Sequence, residues 1–445
     1  MTAQALTRAA EPIPLIIGAG LGGLLISHAL SRAGVRHVLT GVRASADAAP
    51  LGESLDFSGS LDLPRLVPEA AHLLGPKARA RFYGPLRLEL PFHFHRMLDH
   101  PMFRSYYWLM GLGDSRRTMW HVDRVRLDAL LFEKVTRSPF TRWVPGRVGA
   151  IAHDAASDRI TGVTLEGGEE LRTSHVFDVT GPARLLCRTL KLPTRDLSGP
   201  KRAFYVRRTA PEGRPGRCEG WLEETGLVRI CARHHGHNGV AWVIPAGDEV
   251  GVGGVLDGEL AELDPEATLG LIEDIVEGLG LPLRATFPQR SAVTHHPMRF
   301  YGAERGYGAN WLLVAGAHSS THFISSSGVG ACTGAARLAV PFLRNPRRAG
   351  ARYHATLAYL ASISSLFDHM LQMMSREELD EAVVMPWIRD NMVRVFRYVT
   401  LLPGLSPRTL GPLFLHATRS RLLFEPQVRL ARRYLECTVR PQAPV

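Results

Sequence analysis

The sequence contains few cysteines and no long apolar run. Its 445 residues include five cysteines, an odd number, and none of them form a Cys-x-x-Cys pair. This argues against a disulfide framework or a zinc site of paired cysteines and predicts a reducing, cytoplasmic location. No apolar stretch approaches the roughly 18 residues that a membrane span requires. The first residues do not combine a basic start with an apolar stretch, so we expect no export signal.

Acidic residues are also scarce relative to basic ones. Lys and Arg total 53 against 42 Asp and Glu, for a formal net charge of +11. Much of this excess lies in residues 386–445, which hold ten Arg and three acidic residues. No nucleic-acid-binding module is recognisable there, so we expect no nucleic-acid partner. We predict a helical cap with a solvated Arg face, and the alternative is peripheral contact with an anionic membrane surface.

Residues 13–41 predict a strand–helix–strand unit. Ile13 to Ile17 form a short apolar run, a glycine-rich turn follows, and a helical pattern leads to a second strand. Such a unit places the pyrophosphate of a dinucleotide at the helix N-terminus. Gly18, Gly20 and Gly23 are the candidates for this cradle. An acidic residue usually ends the second strand and binds the ribose, but here that position is Gly41.

The rest of the sequence alternates between strand and helix patterns. Residues 120–134 predict a helix, and residues 202–256 predict antiparallel strands. An amphipathic helix is predicted to begin near Asp264, and the pattern is helical from about residue 350. The composition, 45% hydrophobic and 21% charged, is that of a soluble globular chain with two or three domains.

Five ordered stretches resemble the FAD-dependent oxidoreductases of the aromatic hydroxylase fold. The second, fourth and fifth of them are most similar to the branch that contains flavin-dependent halogenases and geranylgeranyl reductases. The resemblance implies an α/β fold: an FAD/NAD(P)-binding Rossmann-like domain, an antiparallel-sheet substrate domain and a helical C-terminal region. The five stretches are GAGLGG (18–23), LGESL (51–55), VDRVRLDALL (122–131), NGVAWVIPAGDEVGVGGVL (238–256) and WLLVAGAHSSTHFISSSGVG (311–330).

The resemblance also implies the domain boundaries and the cofactor-binding positions. Arg124 stands where the family directs an arginine to FAD, and the alternative is a surface Arg paired with Asp128. The expected domains are an FAD-binding domain of residues 12–60, 115–200 and 300–345, a substrate domain of residues 61–114 and 201–299, and a C-terminal cap of residues 346–445. The expected FAD-binding residues are Gly18, Gly20, Gly23, Arg43, Arg124, Asp178, Gly181, Gly316, Ser327, Gly328 and Val329.

Two acidic positions of the family pattern carry no carboxylate here. Gly41 is the first, and Ala317 follows Gly316 where the family has Asp. Each missing acceptor is worth roughly 1.5–3 kcal/mol. We therefore expect weak FAD binding, which restoring the two acids would tighten, and the alternative is a flavin-free relative. His318 could place a compensating donor near the pyrophosphate.

Two glutamates are candidate catalytic acids. Glu224 lies in a Leu-Glu-Glu-Thr segment that resembles lycopene cyclases, in which a glutamate serves as an acid. A carboxyl group in an apolar pocket has a raised pKa and can protonate an alkene. Glu53, in the Gly-Glu-Ser segment, is the second candidate. The alternatives are an ordinary strand position for Glu224 and a hydrogen-bonding role for Glu53. The histidine-rich stretches lack partners at ligand spacing, so we expect no metal site.

The aromatic residues Phe92, Phe94 and Trp242 are candidates for the substrate-binding wall, with a place in the core as the alternative. We expect a flavin-dependent tailoring oxidoreductase of the monooxygenase, dehydrogenase or reductase type. Its substrate would be an apolar small molecule of secondary metabolism, and NAD(P)H or a flavin reductase would donate electrons. A carrier protein is a further candidate partner. Halogenation is disfavoured. The resemblance implies a catalytic lysine between flavin and substrate, but the only lysine between Ala44 and Glu133 is Lys77, which is predicted to lie at the N-terminus of a surface helix. A non-redox cyclase is the alternative.

Overall fold

Two large β-sheets, both covered by helices, dominate the structure. The computed structural model describes residues 11–43, 52–76, 79–83, 89–93, 120–197, 199, 201–211, 228–234, 237–246, 249–257, 264–278, 282–320 and 326–375. The strands in these ranges are β1 (Ile13–Ile17), β2 (His37–Gly41), β3 (Leu74–Pro76), β4 (Arg79–Tyr83), β5 (Glu89–His93), β6 (Trp120–Val122), β7 (Thr141–Pro145), β8 (Val148–Asp154), β9 (Arg159–Leu165), β10 (Glu170–Asp178), β11 (Thr194–Asp196), β12 (Lys201–Thr209), β13 (Val228–His234), β14 (His237–Ala246), β15 (Glu249–Asp257), β16 (Gln289–Arg290), β17 (Thr294–Met298), β18 (Tyr301–Ala303) and β19 (Trp311–Leu313).

Helices connect these strands and follow the last of them. Short 3₁₀ helices lie at Pro68–Leu73, Gly181–Ala183 and Ala315–Ala317. None of the helices in the described ranges combines the length and the apolar character that a membrane span requires. The α-helices are α1 (Leu21–Arg32), α2 (Phe57–Leu66), α3 (Arg124–Thr136), α4 (Leu185–Thr189), α5 (Pro265–Gly278), α6 (Leu283–Thr286), α7 (Gly328–Arg344) and α8 (Pro346–Ser375).

The first sheet contains the predicted strand–helix–strand unit. Strands β7, β2, β1, β10 and β19 are parallel, and the hairpin of β8 and β9 extends the sheet antiparallel from β10. Ile16 packs into a core with helices α1, α3 and α7, whereas Leu15 and Ile17 pack into a second core on the opposite face. A strand that is buried on both faces must be apolar at successive positions, which explains the short apolar run at residues 13–17.

The second sheet is mostly antiparallel and is covered by α5 on one face. Its strand order is β16-β12-β15-β14-β13-β4-β5, and β17 also pairs with β12. Phe204 and Val206 of β12 pack against Leu269 and Ile272 of α5. Because successive side chains of a strand point to opposite faces, Tyr205 points away from α5. The face that carries Tyr205 is the one that approaches Glu53, in the segment before α2.

The predicted α/β fold class is confirmed by this arrangement and by the solved structures compared below, and the division into domains stays a prediction. The helix predicted near Asp264 is present, because α5 begins directly after Asp264. The helix predicted over 120–134 is partly wrong. Trp120–Val122 form β6, which pairs with β3, and α3 begins only after Asp123, whose carboxylate accepts the N–H of Arg126. A capping aspartate interrupts the apolar periodicity at that point.

Candidate functional site

The turn between β1 and α1 depends on glycines for its shape. Gly18 has a φ of +118°, and a Cβ there would lie 2.5 Å from the carbonyl oxygen of Val179. A Cβ on Gly23 would collide with the carbonyl oxygen of Gly18. Gly20 precedes α1 without a side-chain cap, and a Cβ there would meet no atom within 4 Å. The uncapped N–H groups of α1 therefore adjoin open space, which fits the pyrophosphate of a dinucleotide.

Gly41 lacks the acid of the family pattern, and its backbone also packs closely against the glycine turn. It ends β2 with a φ of +153°, and a Cβ there would lie 2.8 Å from the backbone nitrogen of Ala19 in the turn before α1. Any side chain at this position would strain the backbone or displace the cradle. Ala317 is fully buried, so an aspartate there would bury a carboxylate. The expectation that two restored acids would tighten FAD binding therefore conflicts with the packing of both positions.

Two tyrosines hold the loop that follows β19. The hydroxyl of Tyr353 on α8 accepts the N–H of Ala315 at 3.2 Å and donates to the carbonyl oxygen of Ala331 at 2.8 Å. The hydroxyl of Tyr301 donates to the carbonyl oxygen of Gly316 at 2.6 Å. Ala315 has a φ of +45°, a strained conformation for a residue other than glycine, and these bonds help to maintain it. The loop is thereby held against the turn that contains Gly181.

A cavity of about 380 Å³ lies between the glycine turn and the second sheet. Ala203, Trp242, Ile244 and Met298 form its wall on the side of the second sheet. It brings together residues that are far apart in the sequence and that the sequence predicts as one site. The predicted site residues that line it are Gly20, Glu53, Arg124, Gly181, Trp242, Gly316, Ser327, Gly328 and Val329.

Glu53 places a buried carboxyl group in this cavity. Its side chain is 4% exposed, and Tyr205 of β12 donates a hydrogen bond to it. Burial raises the pKa of Glu53 to about 7, against the opposing effects of the Tyr205 hydrogen bond and the positive charges of Arg207 and Arg124. The carboxyl group is therefore divided between its protonated and ionised forms near neutral pH. Such a group can both donate and accept a proton.

Arg124 lines the cavity and is also paired with Asp128. Its Nε and one terminal nitrogen each lie 3.2 Å from an oxygen of that carboxylate. The side chain is buried, and Gly52, with a φ of +105°, leaves room for the guanidinium, since a Cβ there would lie 2.9 Å from it. Arg124 is therefore paired with Asp128, as one interpretation expects, and lines the predicted site, as the other expects. The ion pair orients an arginine that belongs to the cavity wall and not to the surface.

Asp178 and Arg43 lie away from the cavity lining. Asp178 is fully buried, and its carboxylate accepts the hydroxyl of Thr180 at 2.6 Å and the N–H of Leu186 at 2.8 Å. It thereby orders the turn that carries Gly181. The guanidinium of Arg43 lies 4.5 Å from the ring centre of Phe132.

His318 packs against α8, away from the glycine turn. Its Nε2 lies 2.7 Å from Nδ1 of His354, with which it shares a hydrogen bond. Burial, followed by the neighbouring His354 and Arg184, lowers the pKa of His318 to about 3. The imidazole is therefore neutral at physiological pH. It does not line the cavity, so the compensating donor expected from it is not supported.

The cavity wall on the second sheet requires a glycine beside Trp242. Trp242 on β14 and Gly253 on β15 are directly paired, and a Cβ on Gly253 would lie 2.7 Å from the indole ring. Tyr205 is the neighbour of Gly253 on the other side. Tyr205 was not predicted from the sequence, although its alternation with the core residues of β12 was a detectable signal. The alternation does not reveal which face of the sheet meets the cavity.

Several predicted residues lie outside the described part of the structure. These are Lys77, Phe94, Glu224 and the region 376–445, which includes most of the basic C-terminal segment. Phe92 belongs to β5, but its side chain is not among those described. Within the described ranges, no three His, Cys, Asp or Glu side chains are grouped as metal ligands.

Comparison with known proteins gives matches only at the level of structure. No protein-family model and no curated protein matches the sequence. PqsL of Pseudomonas aeruginosa, a probable FAD-dependent monooxygenase, is 18% identical with a TM-score of 0.61 over 82% of this chain and 96% of PqsL. The flavin-dependent brominase Bmp2 is 16% identical with a TM-score of 0.63 over 92% of this chain and 99% of Bmp2. Tar14, a tryptophan C-6 flavin-dependent halogenase from taromycin biosynthesis, is 18% identical, with a TM-score of 0.61 over 80% of this chain and 77% of Tar14. The chain therefore has the fold of the FAD-dependent monooxygenases and flavin-dependent halogenases.

Proposed function

We propose that this protein is an FAD-dependent tailoring oxidoreductase that acts on an apolar small molecule of secondary metabolism. The observation that carries the proposal is one cavity that joins the glycine turn before α1 to an apolar wall on the second sheet. Clefts with mostly apolar walls and a few convergent polar groups are typical of small-molecule sites. The similar fold of PqsL, whose structure is also known in complex with 2-aminobenzoylacetate, supports a small-molecule substrate.

In this proposal the glycine turn and the loops around it bind FAD. Gly18 and Gly23 shape the turn, and the N–H groups that begin α1 after Gly20 hold the pyrophosphate. Gly316 and Gly328 also line the cavity and would let the backbone approach the flavin closely. FAD would supply two-electron redox chemistry and, once reduced by NAD(P)H or by a separate flavin reductase, reactivity toward oxygen.

The second sheet then provides the substrate-binding wall. Trp242, Ile244 and Met298 exclude water from an apolar substrate, and the half-protonated Glu53 holds or accepts a proton beside it. This assigns Glu53 a catalytic role. Glu224, the residue on which the cyclase alternative depends, lies outside the described residues, and no contact among the described residues favours that alternative.

Cofactor binding is the first test of the proposal. The purified chain should show the two visible absorption bands of oxidised flavin, or should retain them after FAD has been added and the free FAD has been removed by gel filtration. Gly20→Val should lose this binding with an unchanged unfolding temperature, because a Cβ at Gly20 meets no protein atom. A folded wild-type chain that does not bind FAD would overturn the proposal.

Turnover is the second test. The FAD-loaded protein should consume oxygen when NADH, NADPH or a flavin reductase with NADH is supplied, and an apolar aromatic or polyketide-like compound should accelerate that consumption. Parallel reactions with chloride or bromide separate oxygenation from halogenation by the mass of the product. Conversion of a substrate without any use of NAD(P)H or oxygen would contradict a redox function.

A further inference from the structure

A glycine of β15 lies beneath the hydrogen bond between Glu53 and Tyr205. A Cβ on Gly251 would collide with the carboxylate of Glu53 and would lie 2.8 Å from the hydroxyl of Tyr205. Gly251 pairs with Ile244 of β14 on one side and Arg207 of β12 on the other. We propose that Gly251 is a positioning residue, because its missing side chain provides the space in which Glu53 reaches Tyr205.

The backbone of Gly251 does not itself require glycine. It lies inside a regular strand that is paired on both sides, and it is not among the residues with a positive φ. Glycine weakens the interior of a strand and often marks a place where another group approaches closely. Here the approaching group is the carboxylate of Glu53, so the glycine is needed for space and not for conformation.

Neither partner of the hydrogen bond can easily move to make room for a side chain. The carbonyl oxygen of Glu53 accepts the N–H of Val122 at 2.8 Å, which fixes the segment before α2 to β6. Tyr205 lies between Phe204 and Val206, which are packed into the core under α5. A methyl group at position 251 must therefore displace the Glu53 carboxyl group or the Tyr205 ring, and in either case it separates the two.

The charged groups around Glu53 predict the consequence. Arg207 faces it from β12, while Asp123 and Arg124 face it from the start of α3. Arg207 is itself ion-paired with Glu249 of β15. Tyr205 donates to the carboxylate and so favours the ionised form of Glu53, and loss of this bond raises the pKa of Glu53. Gly251→Ala and Tyr205→Phe should therefore have the same effect, because both remove one bond.

The test is a double-mutant cycle on the pKa of Glu53. The infrared carboxyl band of Glu53, identified by its loss in Glu53→Gln, is titrated in the full-length protein. Gly251→Ala and Tyr205→Phe should each raise the pKa by about one unit. The double variant should show no larger shift than either single variant, because the two changes act on one bond. An unchanged pKa in Gly251→Ala, or shifts that add, would overturn the inference.

Gly149→Ala is the matched control. Gly149 also lies in a strand, β8, but a Cβ there would be 3.6 Å from its nearest neighbour, Glu166, which is an ordinary contact. This variant should keep the wild-type pKa of Glu53. If Gly251→Ala is poorly folded, adding Glu53→Asp should restore its unfolding temperature, because the shorter side chain withdraws from the new methyl group. Absence of this rescue in a poorly folded Gly251→Ala contradicts the inference.

The inference rests on the proposed function only in one respect, namely the catalytic role of Glu53. Neither the pKa cycle nor the rescue requires bound flavin or turnover. A protein that shows the cycle but does not bind FAD would retain the role of Gly251 and lose the proposed function. A flavoenzyme in which the two variants shift the pKa of Glu53 independently would retain the proposed function and lose the role of Gly251.

Discussion

The hydroxyl of Tyr205 donates a hydrogen bond to the carboxylate of Glu53, although the two residues are 152 positions apart in the sequence. Glu53 comes from the segment before α2, and Tyr205 comes from β12 of the second sheet. The contact places a buried, titratable acid where the cavity lies between the glycine turn and the apolar wall.

The first prediction concerns the pH dependence of stability. The pKa of Glu53 is raised from 4.5 to about 7, so the folded state binds the proton more tightly than the unfolded state. The stabilisation is complete below pH 4.5 and is lost as the pH rises through 7. The free energy of unfolding of the wild type should fall by about 3 kcal/mol over this range relative to Glu53→Gln.

Urea unfolding at a series of pH values measures this difference. Other titrating groups change the two proteins equally, so the difference between the curves isolates Glu53. Parallel curves would mean that Glu53 ionises in the folded protein as it does in the unfolded chain.

The second prediction compares Gly20 of the cradle with Gly41 at the end of β2. Gly20→Ala should leave the unfolding temperature unchanged and weaken FAD binding by about tenfold or more, because its methyl group meets no protein atom and enters the cavity. Gly41→Ala should lower the stability by about 1–3 kcal/mol, because the backbone conformation is strained and the methyl group meets Ala19. Thermal unfolding and FAD titration of both variants provide the comparison. A stable Gly41→Ala with normal FAD affinity would contradict this account of β2.

The third prediction concerns the two tyrosines on the loop after β19. Tyr353→Phe removes both the acceptor of the half-buried N–H of Ala315 and the donor to the carbonyl oxygen of Ala331, and should cost about 2 kcal/mol. Tyr301→Phe removes only a donor to the carbonyl oxygen of Gly316 and should cost about 1 kcal/mol. Both should weaken FAD binding, since the loop lines the cavity. Denaturant unfolding gives the costs, and equal costs would contradict the larger loss expected where two hydrogen bonds are removed.

The fourth prediction tests a buried ion pair on the far side of the second sheet. Arg208 donates to Glu273 of α5 at 2.7 Å, and both side chains are 5% exposed. Glu273→Leu leaves the buried guanidinium of Arg208 without an anion and should cost about 3–5 kcal/mol. Arg208→Met should cost less, because Arg284 remains paired with Glu273 at 3.2 Å.

Neither change at this ion pair should alter FAD affinity, because the pair lies on the face of the sheet that α5 covers, away from the cavity. Chemical unfolding and FAD titration of both variants measure the two quantities. A loss of FAD binding in a folded Arg208→Met protein would show that the second sheet transmits changes to the cradle.

Much of the fold and part of the candidate site were predictable from local patterns. The glycine turn, the apolar strand before it and the helix after it lie within about twenty residues, and together with the four other motifs they predict a dinucleotide cradle. Arg124 and Trp242 were reached through motif resemblance, and both line the cavity. Asp178 was reached by the same route, yet its carboxylate is occupied by Thr180 and Leu186, which the motif could not reveal.

The sequence by itself determined the local elements of this protein: the strands and helices of the cradle, and the glycines that its turn requires. These depend on backbone sterics and on side-chain periodicity, which act between neighbouring residues. Only the tertiary structure decided that Glu53 meets Tyr205, that Gly251 makes room for them and that His318 is neutral. Those properties arise from burial and from contacts between distant segments, because the removal of water from a side chain depends on everything that packs around it.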